Sequence, residues 1–164
     1  TMMRLAENPS HVLTQAERLA AESFVADQEA RFAVARSRII RTGDELSFVC
    51  DGVLEYGDVS DFCGLILDRD DNPPQVAAVA AKRVGGDWAV SLRSRDGLAG
   101  RVMSLLKDGR KVRGGGHGDA SALYFPSNYT EMQIKDSLLA AIRVQIEKEA
   151  SPKVTLGDLF KGLA

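Results

Sequence analysis

The 164-residue sequence predicts an α/β or α+β fold, a single mixed β-sheet flanked by helices and led by a long N-terminal helix. Three observations predict it. Residues 11–40 contain no glycine or proline and space their apolar side chains at helical intervals. After Glu45 the period changes, and strand-like and helix-like segments alternate. Two strand-like runs are joined through Gly85-Gly86-Asp87, a tight-turn composition. With 45% hydrophobic residues, the chain is long enough for one well-packed domain.

Asn8-Pro9-Ser10 supplies a turn and a cap for the first helix, residues 10–40. Leu13, Ala16, Ala20 and Phe24 share one face, and Phe32, Ala35 and Ile39 continue it after a break near Asp27-Gln28. So narrow a stripe covers part of a core or joins two bodies. Thr42-Gly43-Asp44 ends the helix. "ELSFVCDGVL" then reads as a strand, and "YGDVSDFCGLIL" as a short helix led by Asp58, with Val59, Phe62, Leu65 and Ile66 inward. "DRDDNPP" is a charged turn without the glycine and terminal glutamate that a calcium loop needs.

"QVAAVAAKRV" and "WAVSLRSR" form the hairpin. "GLAGRVMSLLKDG" follows as a helix with Leu98, Val102, Leu105 and Leu106 inward. A glycine run connects it to the strand "ASALYF", which Pro126-Ser127-Asn128 ends. Thr130 caps the last long helix, whose Met132, Ile134, Leu138, Ile142 and Ile146 make an apolar side. The tail "SPKVTLGDLFKGLA" holds a final helical turn.

The charge and cysteine content bound the function. A net charge of −2 argues against a protein that coats long nucleic acid, yet leaves room for a local anion site. No apolar run reaches the ~18 residues of a membrane helix, and no signal-peptide core opens the chain, so a cytoplasmic setting without a membrane is expected. The opening "TMMRLAEN" reads as a cloning scar or a cut inside a longer protein. Cys50 and Cys63 lie outside any CxxC and without clustered histidines, as small buried hydrophobes rather than zinc ligands.

Chemistry concentrates in "VRGGGHGDASALYF". Gly114, Gly115 and Gly116 run into His117, one of two histidines in the chain. Three readings stand side by side. The glycine N–H groups could cradle an anion, with His117 and Arg113 adding donors and charge. The run could be a flexible connection. Or the glycines could let helix and sheet approach closely. The spacing fits neither GxxxxGK[ST] nor a helix-opening GxGxxG. Upstream, "VSLRSR" places Ser91, Arg93 and Arg95 on one side of a strand and Ser94 on the other. An arginine inside an apolar strand needs a paired acid or an anion.

"VSLRS", a helix and then "GGGH" followed by small residues resembles, over about residues 45–126, the C-terminal DHH-associated domain of the DHH phosphoesterase family. The resemblance implies a preceding catalytic domain that binds two divalent metals, manganese (Mn2+) or magnesium (Mg2+), through aspartates and histidines. It implies a helical linker to the smaller domain, and substrate held in the cleft between the two. Carried onto this sequence, Gly114, Gly115, Gly116 and His117 are the phosphate-side loop and Arg93 the strand arginine. Ser91 and Ser94 complete the motif, with Arg113 adjacent. Ala120-Ser121-Ala122 departs from the family pattern by lacking its final glycine.

No DHH triplet is present, and with only His11 and His117 the family metal centre cannot be assembled from this chain. No catalytic residue is therefore assigned. The resemblance implies a linker over residues 1–42 and a substrate-binding domain over 43–164. The chain is then the substrate-binding part of a metal-dependent phosphoesterase, inactive alone. Its expected partners are a nucleotide or short single-stranded oligonucleotide and the N-terminal DHH catalytic domain. Three alternatives stay open: a non-catalytic nucleotide or nucleic-acid-binding module, a relative of the C-terminal segment of alanyl-tRNA synthetases, and an oligomerisation domain whose terminal helices form a homodimer.

Overall fold

Alternation of short apolar strands with amphipathic helices produces one six-stranded mixed sheet between two unequal helical layers. The computed structural model describes residues 14–151 other than 51, 53, 56, 110 and 111. The strands are β1 (Ile40–Thr42), β2 (Leu46–Cys50), β3 (Val76–Lys82), β4 (Trp88–Arg93), β5 (Arg113–His117) and β6 (Ala120–Phe125). The helices are α1 (Gln15–Arg36), α2 (Asp58–Asp68), α3 (Leu98–Gly109) and α4 (Glu131–Ala150). Strand order is β1-β2-β3-β4-β6-β5. Among these strands only β2 and β3 pair in parallel, and a parallel pair needs a crossover, which α2 supplies. The other neighbours are antiparallel.

On one face, Leu46, Phe48, Ala78, Val90, Leu92, Leu123 and Phe125 are buried beneath Leu98, Val102 and Leu106 of α3 and Ile134, Leu138 and Ile142 of α4. On the other, Val49, Ala77 and Val79 meet Phe62, Cys63 and Ile66 of α2 and Phe32 and Ala35 of α1. The Phe32 and Phe62 rings pack with centroids 5.0 Å apart. The hairpin, the α3 core face and the Thr130 cap stand as read. Met132, however, is exposed rather than inward, while Leu105 and Ile146 are only partly buried.

The first helix differs from expectation at both ends. Thr14 caps it: the Glu17 amide donates to Thr14 Oγ1, and the Glu17 carboxylate accepts from the Thr14 amide. It stops at Arg36, and Ile40-Arg41-Thr42 pair with Phe48, Ser47 and Leu46 instead of continuing as helix. Ile39 and Ile40 are β-branched, and from Ile40 onward pairing with β2 satisfies the backbone as a further helical turn would. The cap read at Asn8-Pro9-Ser10 and the tail after Ser151 lie outside the described residues. Of the predicted stripe, Phe32 and Ala35 are buried and Ile39 is partly so, whereas Ala16, Ala20 and Phe24 are exposed.

One buried carboxylate fixes α1 to the domain. Asp58 is 3% exposed and accepts from Arg31 Nε at 2.7 Å, Gln28 Nε2 at 3.0 Å and the Glu55 amide at 3.2 Å. The Arg31 guanidinium holds the Asp58 carboxyl below the usual carboxylate range. Cys63 behaves as the small hydrophobe expected, its thiol pushed up to about 12 by burial and donating to the Ala77 carbonyl at 3.2 Å. Cys50 is partly buried, and neither cysteine is in a disulfide. Among the described residues, no helix is long and apolar enough to cross a membrane.

Candidate functional site

Because α2 leaves β2 and returns to β3, it covers that half of its sheet face and reaches only the border of β4. Among the described residues, no helix covers β6 and β5 on this side. Strand register then arranges three rows across β4, β6 and β5: Ala89–Tyr124–Arg113, Ser91–Ala122–Gly115 and Arg93–Ala120–His117. The middle row carries nothing larger than a serine. A cavity of about 420 Å³ lies over this floor, lined by Ser91, Arg93, Gly115, Gly116, Ala122 and Tyr124 and closed at one side by Gly57, Val59 and Ser60 of the α2 start.

Arg93 is the polar centre of the cavity. Its Nη2 donates to Ser60 Oγ at 2.6 Å, and it pairs with no carboxylate among the described residues. The first turn of α2 stands beside it. Gly57, the N-cap, provides no side-chain cap, so the positive end of the helix meets the same space. Arg113, on the far row, does not line the cavity: it is 77% exposed and 3.8 Å from Asp87.

The glycine run is an edge strand, not a loop. In extended backbone, successive N–H groups point alternately to either side, so the three glycines do not form a nest converging on one anion. The reading of a slack connection fails for the same reason. Close approach is what the geometry requires. A Cβ on Gly114 would sit 2.9 Å from the Ala122 carbonyl oxygen, and one on Gly116, at φ +139°, would run into the Ala120 carbonyl and Ser121 Cα. Gly115 differs: its missing Cβ would point into open space on the cavity side.

Arg93, Ser91, Gly115 and Gly116 are thus brought together, and Gly114 is not, because it faces Met103 and Leu123. His117 is exposed at the end of the hairpin, in the row of Arg93, without lining the cavity. Ser94 points away and is buried: its hydroxyl accepts from the Ala99 amide at 2.9 Å and caps α3. Arg95, read on the same side as Arg93, donates to the Leu67 carbonyl.

A latch holds the hairpin turn against α3. Asp119 Oδ1 accepts from the Gly97 amide at 2.6 Å, the Asp119 carbonyl from the Ser94 amide at 3.0 Å, and the Gly118 carbonyl from the Gly100 amide at 2.7 Å. This ties the end of β4, where Arg93 sits, to the β5–β6 turn. Sequence reasoning missed Ser60, Tyr124 and Asp119. Tyr124 was findable, since its place two residues beyond Ala122 on the strand sets it on the Gly115 face. Ser60 and Asp119 depend on how separate elements meet.

Metal ligands are a separate matter. Among the described residues, no group of three or more His, Cys, Asp or Glu side chains could hold a metal ion. Asp68 and Asp70 flank the end of α2, with Asp70 bound to Arg41 Nη1 at 2.8 Å. The sequence resemblance assigns the divalent metals to a preceding catalytic domain and not to these residues.

No family model matches the chain, and no curated protein sequence does. Solved structures do match in fold. The C-Ala domain of Aquifex aeolicus alanyl-tRNA synthetase aligns with 63% of this chain and 96% of its own length, at 15% identity and a TM-score of 0.50. The pGpG-specific phosphodiesterase PggH from Vibrio cholerae aligns with 87% of this chain at 11% identity and a TM-score of 0.50. A DHH domain described as belonging to a family of ribosomal proteins aligns with 80% of the chain, at 18% identity and a TM-score of 0.47. The chain spans half the length of the phosphodiesterase and 34% of the DHH protein. At these identities the likeness is one of fold alone, shared with the C-Ala domain and with part of the phosphodiesterase.

Proposed function

We propose that this chain is the substrate-binding part of a metal-dependent phosphoesterase that acts on short oligonucleotides or small nucleotides. The observation that carries it is Arg93: a partly buried guanidinium in an open cavity, held by one hydroxyl and, among the described residues, no carboxylate. A phosphate supplies the missing anion in the planar, two-pronged geometry that a guanidinium favours. Ser60 and the start of α2 add donors from one side, and Gly115 leaves the floor low enough for a ligand to reach the strand.

Hydrolysis belongs, in this reading, to a DHH catalytic domain of the same protein holding Mn2+ or Mg2+, which would activate the attacking water. The residues here orient the substrate and neutralise phosphate charge. A second reading, a binding module without a catalytic half, draws support from the C-Ala domain, a part of a synthetase that carries this fold. Titrating the chain with adenosine 3′,5′-bisphosphate and following the amides of Ser60, Ser91, Gly115 and Gly116 by NMR tests the site common to both. Shifts that vanish in Arg93→Ala support it. Unmoved amides at millimolar ligand refute it. Manganese-dependent hydrolysis by the longest natural protein containing this chain separates the enzyme from the module.

A further inference from the structure

Arg93 takes its place in the cavity from the first turn of α2, and that turn is held from its other side by α1. Ser60 is the only residue, among those described, that hydrogen-bonds the Arg93 side chain. It is the third residue of α2, and Asp58 is the first. Two residues amount to roughly 200° around a helix, so Asp58 and Ser60 leave α2 on opposite sides. Ser60 turns to Arg93 at 2.6 Å. Asp58 turns to α1, where it accepts from Arg31 Nε at 2.7 Å, Arg31 Nη2 at 3.3 Å and Gln28 Nε2 at 3.0 Å.

This clamp replaces the ordinary means of fixing a helix start. Gly57, at the N-cap, offers no side chain to the first-turn amides. The Asp58 carboxylate instead accepts from the Glu55 amide at 3.2 Å, and Arg31 Nη1 lies 3.8 Å from Glu55 Oε1. Helix α1 thus grips both the turn before α2 and its first residue. The grip sits where the packing of α1 begins: Arg18 to Asp27 are all exposed, whereas Gln28 and Arg31 are half-buried and Phe32 and Ala35 are buried.

An arginine that is already held loses less freedom when it meets an anion, and the difference appears as affinity. We infer that Asp58 is a positioning residue for Arg93: it couples the docking of α1 to the placement of the guanidinium, and so to the affinity of the anion site. With Gln28 and Arg31 engaged, Ser60 meets Arg93. With them released, the uncapped first turn of α2 shifts and Arg93 loses its partner. This rests on the phosphate-binding reading above and adds what governs that site.

The test uses the 164-residue chain and adenosine 3′,5′-bisphosphate. Gln28→Ala and Arg31→Lys each loosen the grip while leaving a cation beside the buried carboxylate, and thermal melts establish that both variants fold. Gln28→Ala lowers bisphosphate affinity about fivefold, the low end of couplings between separate sites. In a Ser60→Ala background the same substitution changes affinity no further, because the route it acts through is gone. Without ligand, Gln28→Ala moves the Arg93 Nε–Hε resonance in NMR spectra, which a loss of stability alone leaves in place. Native affinity in both Gln28→Ala and Arg31→Lys overturns the coupling and leaves the phosphate site standing. Equal losses with and without Ser60 overturn it as well, since α1 then acts by another route. If the native chain binds no bisphosphate, the phosphate reading falls. The resonance then decides the coupling alone, which stands if Gln28→Ala moves it and falls if it does not.

Discussion

Arg93 and Gly115 face the same cavity, one by what it carries and the other by what it lacks. Removing a charged partner from a phosphate costs about 1.5–3 kcal/mol, so Arg93→Ala should weaken nucleotide binding tenfold or more. Among the described residues its ground-state partner is the Ser60 hydroxyl alone, and the unfolding midpoint should hardly move. Titration and a thermal melt on the same sample check both halves. The glycines give a sharper contrast. Gly116→Ala places a Cβ at φ +139° against the backbone of β6, which costs at least the ~1–2 kcal/mol of a left-handed L-residue and lowers stability in urea. Gly115→Ala meets open space and should fold as stably as the native chain, yet lose affinity because its methyl rises into the trough. A Gly115→Ala protein with native affinity would place the ligand elsewhere.

At the scale of elements, two junctions hold the site together, and each contains one carboxylate that accepts across it. Asp119 fastens the β5–β6 turn to the start of α3, in place of a conventional cap on the Gly97 amide. Asp119→Ala should cost about 1 kcal/mol, with Asp119→Asn recovering most of it, because an amide oxygen still accepts the bond. Asp58 fastens α1 to the beginning of α2. Its carboxyl titrates lower in the folded chain than in the unfolded one, so the linkage has a definite sign. The stabilisation is complete above the unfolded value, ~3.9, and fades as pH falls through the lower folded value. Urea unfolding across that acid range should show the loss, and Asp58→Asn should flatten it.

These junctions also mark where the sequence stopped being legible. Periodicity located α2, the hairpin, α3 and α4, because each buries a regular apolar face. It could not show that "RGGGH" is a strand, since glycine has no side chain to alternate and its pairing comes entirely from β6. Nor could it show that Ile40-Arg41-Thr42 leave the helix, because three residues carry too little pattern and the partner strand decides. Arg93 was legible because a cation in an apolar strand stands out. Ser60 was not, because it reaches the site only through the crossover of α2.

For the whole molecule, the open half of the sheet matters as much as the covered half. Two layers of helix over all six strands would have left no cavity. Among the described residues, β6 and β5 instead stay bare on one side, with the Arg93 guanidinium at one end of the trough. Outside it, the protein is mildly acidic, at a net charge of −2. A long nucleic acid would need cations well beyond this trough and would meet little net attraction. A short ligand needs only the local ones. The two cases differ in salt dependence, because each phosphate neutralised on a single strand contributes about −0.7 to the slope of log affinity against log salt. A contact through Arg93 gives a slope of about −0.7. Measuring adenosine 3′,5′-bisphosphate affinity between roughly 50 and 200 mM salt, where counterion release dominates, reads it directly. The value should fall toward zero in Arg93→Ala. A slope several times steeper, growing with oligonucleotide length, would instead mean that the ligand runs over a surface far larger than this cavity.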